Sequence, residues 1–218
     1  FPYYSKFYNT IIAKNGIEST SYFNNSIPLF SKVLIDENPS TQPGSEFTQI
    51  ANINDIYFTN PLQFDFTLKP FSPAIGYGTV IPSVSSDIIN NPRTSLNNSL
   101  PDVGAYENNL EFPSNAPPKI NVVNNISIDE DSPLFQVPLT GISDGDLFEN
   151  QNISITYLNS NQSLFSSSNL EYVSDSTVGL FNFLPANNIN GNTLITIHVT
   201  DDGGTLNGGI DSTTINFT

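Results

Sequence analysis

Two short acidic runs, Asp144-Gly145-Asp146 and Asp201-Asp202-Gly203-Gly204, hold the side chains of this 218-residue chain best suited to chemistry. Carboxylates gathered at one place repel one another unless a cation lies between them, and hard oxygen donors favour calcium over zinc or copper. Asp-Gly and Asp-Asp-Gly-Gly are also plain turn formers, Asp through Asx-turns and Gly through positive φ, so the same residues have a purely local reading. The single histidine, His198, falls in an apolar strand pattern and reads as a satisfied strand residue rather than a ligand.

The elements that must position these acids are strands. The chain has no Cys, Met or Trp, but 16 Phe, 9 Tyr and 16 Pro. Short β-branched and aromatic runs broken by Asn, Gly and Pro recur throughout, and no stretch shows a capped helical period. Without cysteine the fold uses no disulfides. The longest apolar runs fall far short of the roughly 20 residues that cross a bilayer, so no membrane insertion is expected. A net charge of -15 argues against nucleic acid or anionic lipid as partner. The acids are concentrated in the second half: residues 115–218 hold 11 Asp/Glu against Lys119 alone, whereas residues 1–114 hold 10 against 5 basic residues.

Residues 113–118, Pro113-Ser114-Asn115-Ala116-Pro117-Pro118, have linker composition and separate a domain over 1–112 from one over 119–218. In the second domain strands are expected near 119–128, 134–140, 152–158, 162–166, 170–173, 178–184, 193–200 and 211–218. That spacing predicts an immunoglobulin-like β-sandwich in which Asp144 and Asp146 share one end with Asp201 and Asp202. In the first domain, runs at 7–13 and 27–35 read as rungs of a solenoid, which must stack on neighbours to cover their apolar faces. Arg93, the only arginine, has Asp87 and Asp102 as prospective partners in a buried lock.

Two resemblances sharpen this. Asp65-Phe66-Thr67-Leu68, Ser72-Pro73-Ala74-Ile75-Gly76, then Asp87, Arg93 and Asp102-Val103-Gly104-Ala105-Tyr106-Glu107 resemble the closing segment of bacterial right-handed parallel β-helix proteins. The family's Asp-x-x-Gly step is here Asp87-Ile88-Ile89-Asn90, which implies a different turn. Asn115-Ala116-Pro117-Pro118, Asp129-Glu130-Asp131, Gly141-Ile142-Ser143-Asp144-Gly145-Asp146 and Val199-Thr200-Asp201-Asp202-Gly203-Gly204 resemble the cadherin-like tandem repeats of bacterial surface adhesins. The expected fold is therefore all-β: the end of a parallel β-helix, with Arg93, Asp87, Asp102 and Glu107 in structural roles, followed by a cadherin-like sandwich.

The second resemblance implies calcium, held by Asp144, Asp146, Asp201 and Asp202 at one end, with Glu130 and Asp131 contributing to a shared ion at the other. It also implies further repeats of the same chain as neighbours, and an extracellular or cell-surface location. The expected function is a non-enzymatic adhesin or structural module that binds polysaccharide or a cell-surface glycan; the alternative is the cap and accessory domain of a polysaccharide lyase or glycoside hydrolase. The few basic residues of the first domain, Lys6, Lys14, Lys32, Lys69 and Arg93, are thin for a lyase. Asp175-Ser176-Thr177 and Asp211-Ser212-Thr213 resemble the O-glycosylation motif of Bacteroidetes, with Ser176 and Ser212 as acceptors.

Overall fold

A computed structural model describes residues 6–12, 29–35, 44–50, 52–93 and 99–218. Ala13, Lys14, Ile27 and Pro28, which belong to the expected solenoid runs and basic set, lie outside these residues. The fold is all-β and divides into two compact units, Phe1–Ser114 and Asn115–Thr218. The expected linker is split by this division. The Ser114 amide donates to Pro70 O within the first unit at 2.9 Å, while Asn115 and Ala116 are bound into the second.

In the first unit, β1 (Lys6–Ile12), β2 (Leu29–Ile35) and β3 (Glu46–Gln49) form a parallel sheet in chain order. Parallel strands covered on both faces carry unbroken apolar runs, and Val33-Leu34-Ile35 is such a run, each residue 0% exposed. Val33 and Ile35 join Phe30 on one face, where Phe30 meets Phe7 and Phe47 edge-on at 5.7 and 5.9 Å. Leu34 points the other way, into a cluster with Ile50, Ile56, Leu68, Ala74, Ile75 and Val103.

Both longer strands bend at the same level. Asn9 (φ 46°) and Lys32 (φ 56°) adopt left-handed backbone between the aligned pairs Tyr8↔Ser31 and Thr10↔Val33. The buried Asn9 amide clasps the Thr79 backbone through two 2.8 Å bonds, Nδ2 donating to Thr79 O and Oδ1 accepting from Thr79 N. A short antiparallel pair, β4 (Phe58–Asn60) and β5 (Asp65–Leu68), leads into the Ser72–Gly78 turn.

The second unit contains two three-stranded antiparallel sheets. One orders β6 (Phe135–Thr140), β9 (Val178–Pro185) and β8 (Phe165–Glu171); the other orders β11 (Ser212–Phe217), β10 (Ile195–Thr200) and β7 (Ser154–Asn159). Alternating residues of both sheets enter one core: Val137 and Leu139 from β6, Phe181 and Phe183 from β9, Ile195, Ile197 and Val199 from β10, Ile215 and Phe217 from β11. Pro138 lies on β6, an edge strand, where a missing N–H leaves no gap inside the sheet.

Three expected strands differ. Residues 119–128 form no continuous ladder, because Asn121 N donates to Thr140 O beside one sheet and Ile126 N to Thr218 O beside the other. The segment crosses between the sheets instead of joining either. The expected strands 162–166 and 170–173 merge: Gln162–Leu164 is a 3-10 turn and β8 runs unbroken to Glu171. His198 lies on the outer face of β10, between inward Ile197 and Val199, with Nδ1 3.0 Å from Thr214 Oγ1.

Candidate cation site

The end of the second unit from which β6 and β10 emerge gathers four segments. Gly141–Asp146 follows β6, Gln151–Asn152 precedes β7, Asp201–Gly204 follows β10, and Asn115–Ala116 enters the unit. Gly145 has φ +91°, and a Cβ there would overlap Pro117 O, so glycine lets the loop close against the entry segment. This places Asp144 and Asp146 against the backbone and side chain of their neighbours.

Asp146 accepts from Ala116 N with both oxygens at 3.3 Å and from Gln151 Nε2 at 2.9 Å. Asp144 Oδ2 accepts from Gln151 N at 3.0 Å. Asp201 Oδ1 accepts from Gly203 N at 3.1 Å and from Asn115 Nδ2 at 2.8 Å. The same Asn115 nitrogen reaches Gly204 O at 3.1 Å and Ile210 O at 2.9 Å, and Ile210 N returns a bond to Asn115 O at 3.0 Å.

Every one of these bonds satisfies a donor. What stays unsatisfied is a set of acceptors. Among the described residues, five buried side-chain atoms have no hydrogen-bond partner, and three are oxygens of this cluster: Asn115 Oδ1, Gln151 Oε1 and Asp201 Oδ2. Buried polar atoms in folded proteins are nearly always paired, so three orphan acceptors at one place require an explanation. Gln151 is only 8% exposed, which leaves its free oxygen little access to bulk water. The Asn115 amide, through Oδ1 and Cγ, and Gln151 Nε2 pack directly over Gly203, where a Cβ would collide with both.

The electrostatics agree. Burial raises the Asp146 carboxyl to about 6; the Ala116 amide offsets part of this, and the negative charges of Asp144, Glu149 and Asp201 add to it. Asp201 is also raised, chiefly by burial and further by Asp211 and Asp144, against the hydrogen bonds from Asn115 and Gly203. Asp202 lies at the same end of the unit. It turns outward and binds Asn152, whose N and Nδ2 donate to its two oxygens at 2.8 and 2.7 Å, and these bonds hold its carboxyl below the usual range.

The structure brings Asp144, Asp146 and Asp201 to one end and leaves Glu130 and Asp131 at the other. Asp131 there accepts from Asn188 N at 2.9 Å in a left-handed turn of φ 57°. Among the described residues no three His, Cys, Asp or Glu side chains are close enough to hold a metal by themselves. Sequence reasoning placed Asn115 in a linker and passed over Gln151. Asn115 stood in a quoted motif, but nothing in the sequence around Gln151 marks it.

In the first unit, Arg93 pairs with Glu107 at 2.8 Å and donates to Asp102 O at 3.1 Å and Gly104 O at 2.6 Å. The prospective carboxylate partners Asp87 and Asp102 serve the backbone instead. Asp87 accepts from Ile89, Asn91 and Glu107 amides, and Asp102 from Gly76 and Asn108 amides. Burial raises Asp102 to about 6 and Glu107 to about 7; for Glu107 the charge of Asp102 adds to this, while the Arg93 guanidinium offsets only part. Of the two serines in glycosylation-like motifs, Ser176 Oγ bonds Val178 O at 2.7 Å and Ser212 is exposed at the start of β11.

No family model, curated protein or solved structure matches the chain.

Proposed function

We propose that this chain is a non-catalytic structural part of an extracellular or cell-surface bacterial protein of the adhesin kind, whose second unit is a cadherin-like sandwich stabilised by calcium. The observation that carries the reading is the trio of orphan buried oxygens, Asn115 Oδ1, Gln151 Oε1 and Asp201 Oδ2, set among carboxylates raised by burial and mutual repulsion. A bound calcium supplies positive charge where three carboxylates otherwise repel. Asp146 and Asp201 would hold it with the two amide oxygens, and Asp144 would balance its charge from nearby.

The first unit supports the companion reading, the closing rungs of a parallel β-helix. Its three parallel strands pair in chain order, and the left-handed bends of Asn9 and Lys32 stack one above the other, as corners repeated from rung to rung would. Calcium acting outside the cell works at millimolar concentration, so at about 1 mM a site with a dissociation constant of 10⁻⁴ to 10⁻³ M adds roughly 0.4–1.4 kcal/mol by mass action.

The test is calorimetric titration of the chain with calcium, alongside thermal melts with calcium and with chelator. Saturable binding and a higher melting temperature, both removed by Gln151→Leu with Asp201→Asn in protein that keeps its far-UV spectrum, are expected. Identical melts with calcium and chelator would reduce these acids to turn residues.

A further inference from the structure

The opposite end of the second unit, where β9 finishes and β10 begins, contains a cavity of about 200 Å³. It opens between the two sheets, and its floor is aromatic and aliphatic. Phe165 stacks on Phe183 with ring centroids 4.4 Å apart and planes 19° from parallel, and Ile195 and Phe217 close the base from the facing sheet. The rim is polar, with Asp129 and Glu130 from one loop and Asn190 and Asn192 from a second. All four rim residues are exposed, and among the described residues no protein hydrogen bond engages their side chains. Gly191, between the two asparagines, follows φ +155°, and a Cβ there would stand 3.2 Å from Leu164 Cδ2, so the loop lies close on the apolar wall.

The chemistry of this rim is selective. Two carboxylates accept hydrogen bonds, two amides both donate and accept, and no lysine or arginine lines the cavity. Phosphate, sulfate and uronate groups meet repulsion here. A ligand with several hydroxyls and one apolar face meets acceptors at the rim and hydrocarbon at the base, and the cavity has room for one ring. We propose that this cavity is a binding site for an uncharged pyranose, seated with its C–H face toward the Phe165–Phe183 floor and its hydroxyls toward Asp129, Glu130, Asn190 and Asn192. This gives the adhesive reading above a ligand class and a place. It uses no residue of the calcium cluster, which lies at the other end of the same strands, so the two readings fail separately.

The experiment is a two-dimensional amide NMR titration of the full chain with methyl glycosides of glucose, galactose and mannose, run in calcium and again in chelator, with n-butylammonium as a charged apolar control. The expected result is saturable shifts confined to the amides of residues 127–130 and 190–193 for at least one sugar. Glu130→Ala with Asn192→Ala, both exposed positions, should weaken binding about tenfold while leaving the remaining spectrum unchanged. No saturable shift for any of the sugars, shifts that the double variant does not alter, or a response to the ammonium alone would overturn the proposal. Sugar binding that persists in chelator, in a chain whose melt ignores calcium, would uphold this site and reject the ion.

Discussion

Asn115 shows how much one side chain can hold. Its Nδ2 serves three acceptors on the Asp201–Ile210 segment while its Oδ1 is left free. Asn115→Ala should therefore cost about 1–3 kcal/mol in urea denaturation of the calcium-free chain and should also lower calcium affinity. Asn115→Asp separates the two effects, since it removes the donor and supplies a further anionic oxygen. Its destabilisation in chelator should be recovered in part by calcium, and a variant equally unstable in both conditions would place Asn115 outside the ion's reach. Gly203→Ala acts from the other side. Its methyl collides with Asn115 Oδ1 and Gln151 Nε2, so both amides must shift and calcium binding should weaken while the sheets remain. Glu107 makes a different kind of contribution. Burial holds it near 7 beside Arg93, so Glu107→Gln should keep a hydrogen-bonding side chain in place but flatten the pH dependence of the first unit's stability.

At the scale of strands, Phe181 joins the two sheets: it is 0% exposed and its ring lies 4.8 Å from Tyr157 and 6.3 Å from Phe217 of the facing sheet. Phe181→Ala should cost about 3–5 kcal/mol, read by chemical denaturation. Period-two alternation made most of these elements legible beforehand. The runs expected at 134–140 and 193–200 fall on β6 and β10, whose alternation carries Val137, Leu139, Ile195, Ile197 and Val199 into the core. What alternation could not convey is pairing. Residues 119–128 alternate like a strand, yet their hydrogen bonds divide between two sheets, a fact about partners far along the chain. The site was half legible for the same reason. Clustered Asp is conspicuous in a sequence, whereas Gln151 acquires meaning only when folding buries its amide beside Asp146, and the Asn152 amide that faces Asp202 carries no signal of its own.

Across the whole molecule, charge and pH act together. Asp102, Glu107, Asp146 and Asp201 titrate above their ordinary values when folded, so folding takes up protons in that range and stability rises as pH falls from neutral through about 7 and about 6. Asp65 and Asp202, held down by hydrogen bonds, and Asp87, where hydrogen bonds outweigh burial, contribute stability above the usual carboxylate range that is lost as pH falls into it. In chelator the melting temperature should pass through a maximum near about pH 5, and calcium should move that maximum toward neutral. A melting temperature that climbs steadily from acid to pH 8 without calcium would contradict the burial of these groups. The segment that crosses between the sheets has one more consequence, a mechanical one. The stretch from Asn115 to Ile126 is tied to the last strand's neighbourhood at its two ends, Asn115 to Ile210 and Asn125 and Ile126 to Thr218, while between them Asn121 is held by Thr140 of the other sheet. Tension applied between Asn115 and Thr218 then loads the bonds at both ends of this stretch and the Asn121–Thr140 bond to the other sheet together, instead of opening one ladder pair by pair. Stretched by optical tweezers from those two points, the unit should resist a higher force than when pulled across β10 and β11.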